Sequence, residues 1–278
     1  MLKSISTHVF LRSRLHPGLL DTLARTGADA IEIFAARPHF DYTDPIAVRE
    51  LAGWFRNSNV KPFSLHAPIH MEDTGRGNEP VVNVVHPDKG RRIEAMDEVR
   101  RALEIADQIP LQYMVLHLGD RGDAWDDRAL ENALTAIEHL QAYARPMGVT
   151  LLLENIQNEI TTPAHLLEIL NVGHFDEVGV CLDFGHAHIG EGVPAALGDL
   201  RNVIHTAHIH DNAGDRDAHL WPGNGSIAWD ESLATLVSAP RLQAGVLEIH
   251  YGFGHEPAEI VEPAKTAFAR LNRAAASK

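Results

Sequence analysis

One cysteine, Cys181, occurs among 278 residues, which leaves no intrachain disulfide to form and no thiolate cage for zinc. No run approaches eighteen apolar residues, so no stretch reads as a membrane-spanning helix. The opening "MLKSISTHVFLRSRLHPG" lacks the long apolar segment of a secretory signal, and the expectation is a cytoplasmic protein. Basic residues are scarce: 24 Lys and Arg stand against 38 Asp and Glu, a net charge of −14. That balance works against phosphate-driven binding of nucleic acid. No G-x-G-x-x-G follows the first apolar run and no P-loop occurs, which disfavours an open nucleotide-binding sheet. No Ser/Gly- or Pro-rich linker divides the chain either, so residues 1–278 read as one domain.

What the sequence has in excess is histidine, 18 residues of it. The commonest metal-ligating side chain is therefore abundant, and its positions become the question. Short β-branched runs alternate with helix-period segments along the whole chain. Strand patterns fall at 5–10, 30–35, 61–67, 113–118, 150–155, 178–184, 203–210 and 245–250. The clearest helical patterns are 16–26, 90–108 and 126–147, with Ile93, Met96, Val99, Leu103 and Ile105 forming the apolar face of the second. A last helical segment, 258–272, contains Pro263, which reads as a boundary or kink. Eight strand–helix pairs in an unbroken series are the sequence form of a (β/α)8 TIM barrel of class α/β. Its longest strand-to-helix connection, from Ile69 to about Asp88, has the length of a functional loop.

Alternate residues of a barrel strand point inward, and active sites lie at the C-terminal strand ends. The last inward positions of strands three to eight are His66, His117, Glu154, Asp183, His208 and Glu248. In the last five strands an apolar or small residue precedes by two: Val115, Leu152, Cys181, Thr206 and Val246. One strand-end histidine is ordinarily a hydrogen-bonded rim residue. Three carboxylates converging on one mouth are different, because they repel and lose solvation unless a cation or protons resolve them.

Around this ring stand His186, three residues after Asp183, and the pair Asp217 and His219 after the seventh strand. His210 shares the inward parity of His208 and reads as a supporting residue; Asp211 reads as a turn or cap residue. Cys181 reads as core packing. His139, His165 and His174 read as solvated positions at the far end of the barrel. The segment "ARPHF", 36–40, is equally a substrate contact or a turn.

The ordered motifs "SLHAP", "VLHLG", "LLLEN", "CLDFGHAH", "HIHDN…DAHLWPGNGSIAW" and "LEIHYG" resemble the xylose-isomerase-like TIM barrels over nearly the whole chain. That superfamily holds sugar phosphate isomerases and epimerases and the endonuclease IV-like AP endonucleases. In its epimerase branch the resemblance implies one divalent ion, Mn²⁺ foremost with Co²⁺, Mg²⁺ or Zn²⁺ as alternatives, held by Glu154, Asp183, His208 and Glu248. Glu154 and Glu248 would then be the catalytic acid and base, working by proton abstraction through a metal-bound enediolate. His66, His117, His186, Asp217 and His219 would contact a small carbohydrate substrate. In its endonuclease branch it implies three zinc ions, and all nine of these residues match ligands.

Two features favour the first branch. "HLWPGNGSIAW" resembles the signature of the sugar isomerases, departing from it at Asn224 and Ala228. The mouth loops "GDRGDAWDD" and "DNAGDRD" are acidic, and Arg37, Arg76, Arg91 and Arg92 are too scattered for a phosphate-binding strip. The expectation is a metal-dependent isomerase or epimerase, with a phosphodiesterase for abasic DNA as the alternative and a non-catalytic sugar-binding barrel behind both. A homo-oligomer is implied by the resemblance alone.

Overall fold

Strands buried on both faces need continuous apolar runs, and each such run in this chain becomes a parallel strand. The computed structural model describes residues 1–71, 80–252 and 256–276. Its strands are β1 (Leu2–Ser6), β2 (Ala30–Phe34), β3 (Lys61–His66), β4 (Tyr113–Leu116), β5 (Thr150–Glu154), β6 (Gly179–Asp183), β7 (Ile204–Ile209) and β8 (Ala244–Leu247). They pair in chain order and close into a barrel, β8 returning to β1. This is the (β/α)8 architecture expected from the alternation.

The helices are α1 (Pro17–Arg25), α2 (Pro45–Arg56), α3 (Lys89–Leu103), α4 (Asp127–Ala144), α5 (Pro163–Val172), α6 (Phe184–Ile189), α7 (Val193–Leu200), α8 (Trp229–Leu236) and α9 (Val261–Ala276). Several begin with a side chain that accepts an otherwise unpaired amide: Asp44 at α2, Asp88 at α3, Asp126 at α4, Thr162 at α5 and Asp183 at α6. Pro263 lies in the first turn of α9, after a 3-10 turn at Pro257–Ile260, where its missing N–H is not needed. No helix among the described residues is long and apolar enough to cross a membrane.

Two apolar layers hold the barrel. The larger lies between strands and helices. The smaller fills the interior with Ala30, Phe63, Tyr113, Val115, Leu152, Cys181, Ala244 and Val246. This plug closes the barrel below its C-terminal mouth, and the polar ring sits on top of it.

Two expectations need correction. The first strand spans residues 2–6 rather than 5–10, because Ser6 accepts from the His8 amide and Thr7–Phe10 turns into a 3-10 helix. The apolar face read for α3 holds at Val99, Leu103 and Ile105 but not at its first residue. Ile93 is exposed, while Glu98 is buried with Val99 and Leu103. Arg37 donates to Glu98 Oε1 through Nε at 2.9 Å and Nη2 at 2.6 Å, and Arg101 to Oε2 at 2.8 Å. Tyr42 donates to the same carboxylate. Arg37 is thus a structural anchor, and His39 and Phe40 are buried, which settles "ARPHF" as a pinned turn. Arg76 and much of the long connection after β3 lie outside the described residues.

Candidate metal centre

The period-2 alternation of parallel strands delivers the ring. Register pairs Glu154 with Cys181, Asp183 with His208 and His208 with Val246, so these side chains rise at neighbouring strand ends. His66 ends β3, while His117 and Glu248 each follow the last residue of their strand by one. Glu154, Asp183, His208 and Glu248 are at most 3% exposed.

His208 Nδ1 is the hub. It lies 3.0 Å from Glu154 Oε1, 3.4 Å from Glu248 Oε2 and 3.7 Å from Asp183 Oδ2. The four ligand atoms all fall within 4.8 Å of one another. Donors sharing an ion at bond lengths of about 2.1 Å stand roughly 3.4 Å apart in a tetrahedral arrangement, so the residues present fit a divalent cation. Three carboxylates and one imidazole suit Mn²⁺, Co²⁺ or Mg²⁺, and the additional imidazoles bias the site toward Zn²⁺.

Two flanking groups extend the ring. His66 Nε2 and His117 Nε2 both meet Glu154 Oε2, at 3.2 and 3.0 Å. His186 Nε2 and His219 Nε2 both meet Asp217 Oδ2, at 3.2 and 2.9 Å. All nine sequence-derived positions therefore converge on one mouth.

The local structure holds each of them in place. Asp183 caps α6 by accepting from the His186 amide, so a helix starts directly at the end of β6. Gly185 is obligatory here, since a Cβ would fall 2.0 Å from His210 Cε1. His210 donates from Nε2 to Asp183 Oδ2 at 2.8 Å, the supporting role expected of it. His219 adopts a left-handed backbone, φ 44°, at a cost of about 1–3 kcal/mol for a non-glycine residue. Its Nδ1, bonded to the Glu248 carbonyl at 2.9 Å, holds it there. Asp211 is fully buried and anchors the loop after β7, accepting from Gly223 N and Trp229 Nε1 at 2.8 and 2.7 Å.

Charge in the ring is balanced internally. Burial opposes the imidazolium of His208, yet Cys181, Glu248, Glu32 and Glu154 raise its pKa well above the ordinary value. Burial likewise opposes a charged His186, but Asp183 and Asp217 raise it to about 10. For His219, Asp217 and Glu248 overcome burial and raise it to about 9. Burial alone would raise Glu154, but His208 and His117 pull it well below the carboxylate range. Metal-free, the ring thus carries protons on imidazoles where a bound cation would carry the charge instead.

The sequence reading missed three participants. Glu32 on β2 is fully buried and faces His208; its inward parity with Ala30 was the available signal. Asn155 holds the Asp183 backbone from both sides, at 2.7 and 3.0 Å. His8 is buried against His219 and Phe34. His165 is a further correction: it is not at the far end but stacks on Trp125 with centroids 4.1 Å apart. Cys181 packs as expected, its thiol raised by burial to about 12. A cavity of about 490 Å³ opens beside His186, lined among others by Arg121, Gln157, Thr162 and Glu191.

Comparison with known proteins agrees with this architecture. A family model for the xylose isomerase-like TIM barrel matches residues 20–251. An inosose isomerase of Bacillus velezensis is 24% identical over 229 residues, covering 78% of this chain and 77% of its own. A probable endonuclease 4 of Haloquadratum walsbyi is 25% identical over 213 residues, covering 68% and 69%. Among solved structures, the IOLI protein with a bound zinc atom superposes with a TM-score of 0.81 at 21% identity, covering 98% of this chain and 99% of that one.

Proposed function

The chain belongs to the xylose isomerase-like TIM barrel family, and within it we propose that this protein is a divalent-metal-dependent sugar isomerase or epimerase. The observation that carries the reading is the buried cluster of Glu154, Asp183, His208 and Glu248 at the barrel mouth. Two of its carboxylates can then act on carbon. The resemblance to an inosose isomerase supports the substrate class, and the cavity beside His186 has the size of a small-molecule site.

These four residues would hold the ion. Bound there, a divalent cation polarises a carbonyl and offsets the oxyanion that develops as the neighbouring C–H bond breaks. The chain's own groups do the rest. Glu154 and Glu248 approach the hub from different strands, β5 and the end of β8, so one can take the proton from carbon while the other returns one. Burial keeps bulk water from competing for it. His186, His219 and Asp217 at the rim, with His66 and His117 opposite, orient hydroxyl groups. This assignment predicts that the metal-loaded protein exchanges the α-proton of its ketose with solvent deuterium. Glu154→Gln and Glu248→Gln should each lose about 10²- to 10⁴-fold in that exchange, with far-ultraviolet dichroism unchanged. Full activity in either variant, or no exchange with any free or phosphorylated ketose, contradicts it.

One observation favours a second reading. Glu154 Oε2 and Asp217 Oδ2 each lie between two imidazole Nε2 atoms, which suits additional ions and a phosphodiesterase acting on abasic DNA. Cleavage of an abasic duplex at low salt would select that reading.

A further inference from the structure

The imidazoles of the ring are oriented by two different devices. Each of three has Nδ1 against a main-chain carbonyl: His66 on Ala67 at 2.8 Å, His186 on Asn155 at 2.9 Å and His219 on Glu248 at 2.9 Å. An N–H there turns Nε2 toward the centre, and in all three it is Nε2 that faces one of its carboxylates. His208 is reversed. Its Nδ1 faces Glu154, Glu248 and Asp183, so with a cation held at Nδ1 the remaining proton would reside on Nε2, which points across the barrel interior. What it meets there is the side chain of Glu32, 3.2 Å from Oε1 and 3.4 Å from Oε2.

Glu32 has no other evident purpose. It is fully buried on β2, and its other hydrogen bond comes from Ser64 Oγ at 2.8 Å. Burying a carboxylate without a permanent cation is costly, and a structural position would be better filled by an apolar residue. We propose that Glu32 is a positioning residue: it fixes the Nε2–H tautomer and ring angle of His208, presents Nδ1 to the ion, and strengthens that nitrogen as a donor. Ser64 in turn fixes the rotamer of Glu32. The inference rests on the metal-centre reading above, and its test is independent of turnover.

The measurement is the affinity of the stripped full chain for Mn²⁺ or Zn²⁺ alone, by competition with a chromophoric chelator. Glu32→Leu should weaken binding about 10- to 100-fold, the usual effect of losing a partner of a ligating histidine. Glu32→Gln keeps an acceptor but no charge and should fall between that variant and the parent chain. Melting temperature of the metal-free protein separates the alternatives. A merely structural role would lower it and leave affinity unmoved, whereas the positioning role weakens affinity with stability kept or raised. Parental affinity in folded Glu32→Leu overturns the proposal; if that variant does not fold, parental affinity in Glu32→Gln does so. Should the parent chain itself bind no ion, the metal-centre reading falls and this inference falls with it.

Discussion

Among the described residues, two clusters of carboxylates are resolved differently. On α3, Glu98 is held by Arg37, Arg101 and Tyr42, donors that remain protonated at any ordinary pH. In the barrel mouth Glu32, Glu154, Asp183, Glu248 and Asp217 meet imidazoles instead. The first cluster is a closed ion pair that ties the loop after β2 to α3. The second is balanced by protons that can leave and lone pairs that can bind, so its charge is exchangeable. Burial of acid by itself therefore marks neither stability nor function; the chemistry of the partner decides which.

The largest separation between the two clusters should come from Arg37→Ala. It leaves Glu98 buried with half its donors gone and should cost about 2–3 kcal/mol of stability by denaturant titration, while metal affinity stays that of the parent chain. A weakened ion in this variant would break the distinction. A graded effect should follow from pH. Because the buried carboxylates around His208 hold its proton well above the ordinary imidazole range in the metal-free protein, an ion at Nδ1 must displace a proton, so apparent affinity rises with pH. Proton release on binding, measured by calorimetry in buffers of different ionisation enthalpy, checks the sign. The metal-free fold responds as well, because His186 and His219 hold protons up to about 10 and about 9. The native state binds these protons more tightly than the unfolded chain, whose histidines titrate near 6.5. Their stabilisation is thus complete below 6.5 and is lost as pH rises through about 9 to 10. Melting temperatures across that window should fall for the metal-free protein and fall less for the loaded one.

The ring was legible in the sequence because strand parity is rigid: one inward residue in two, and the last of them at the mouth. That rule brought His66, Glu154, Asp183 and His208 to the mouth on their strands, with His117 and Glu248 one residue beyond theirs. It failed where local chemistry overrides periodicity. After β1, Thr7 and Val9 continue the β-branched pattern of Ile5, yet the Ser6 side chain captures the His8 amide and bends the chain into a 3-10 turn. In α3 an acidic residue occupies the inner face because distant Arg37 meets it there, 61 residues away in sequence. Glu32 was hidden for a related reason. A glutamate between isoleucines looks like ordinary alternation, and only the closed barrel, with β7 facing β2 across the interior, reveals its partner.

The central claim is that the barrel mouth is a cation site rather than a salt-bridged plug. It is tested most directly by equilibrium dialysis of the chelator-stripped chain against Mn²⁺ or Zn²⁺, followed by elemental analysis. The account predicts at least one ion retained per chain, lost in Asp183→Asn and His208→Ala and unaffected by Arg37→Ala. A parent chain that retains none would contradict it.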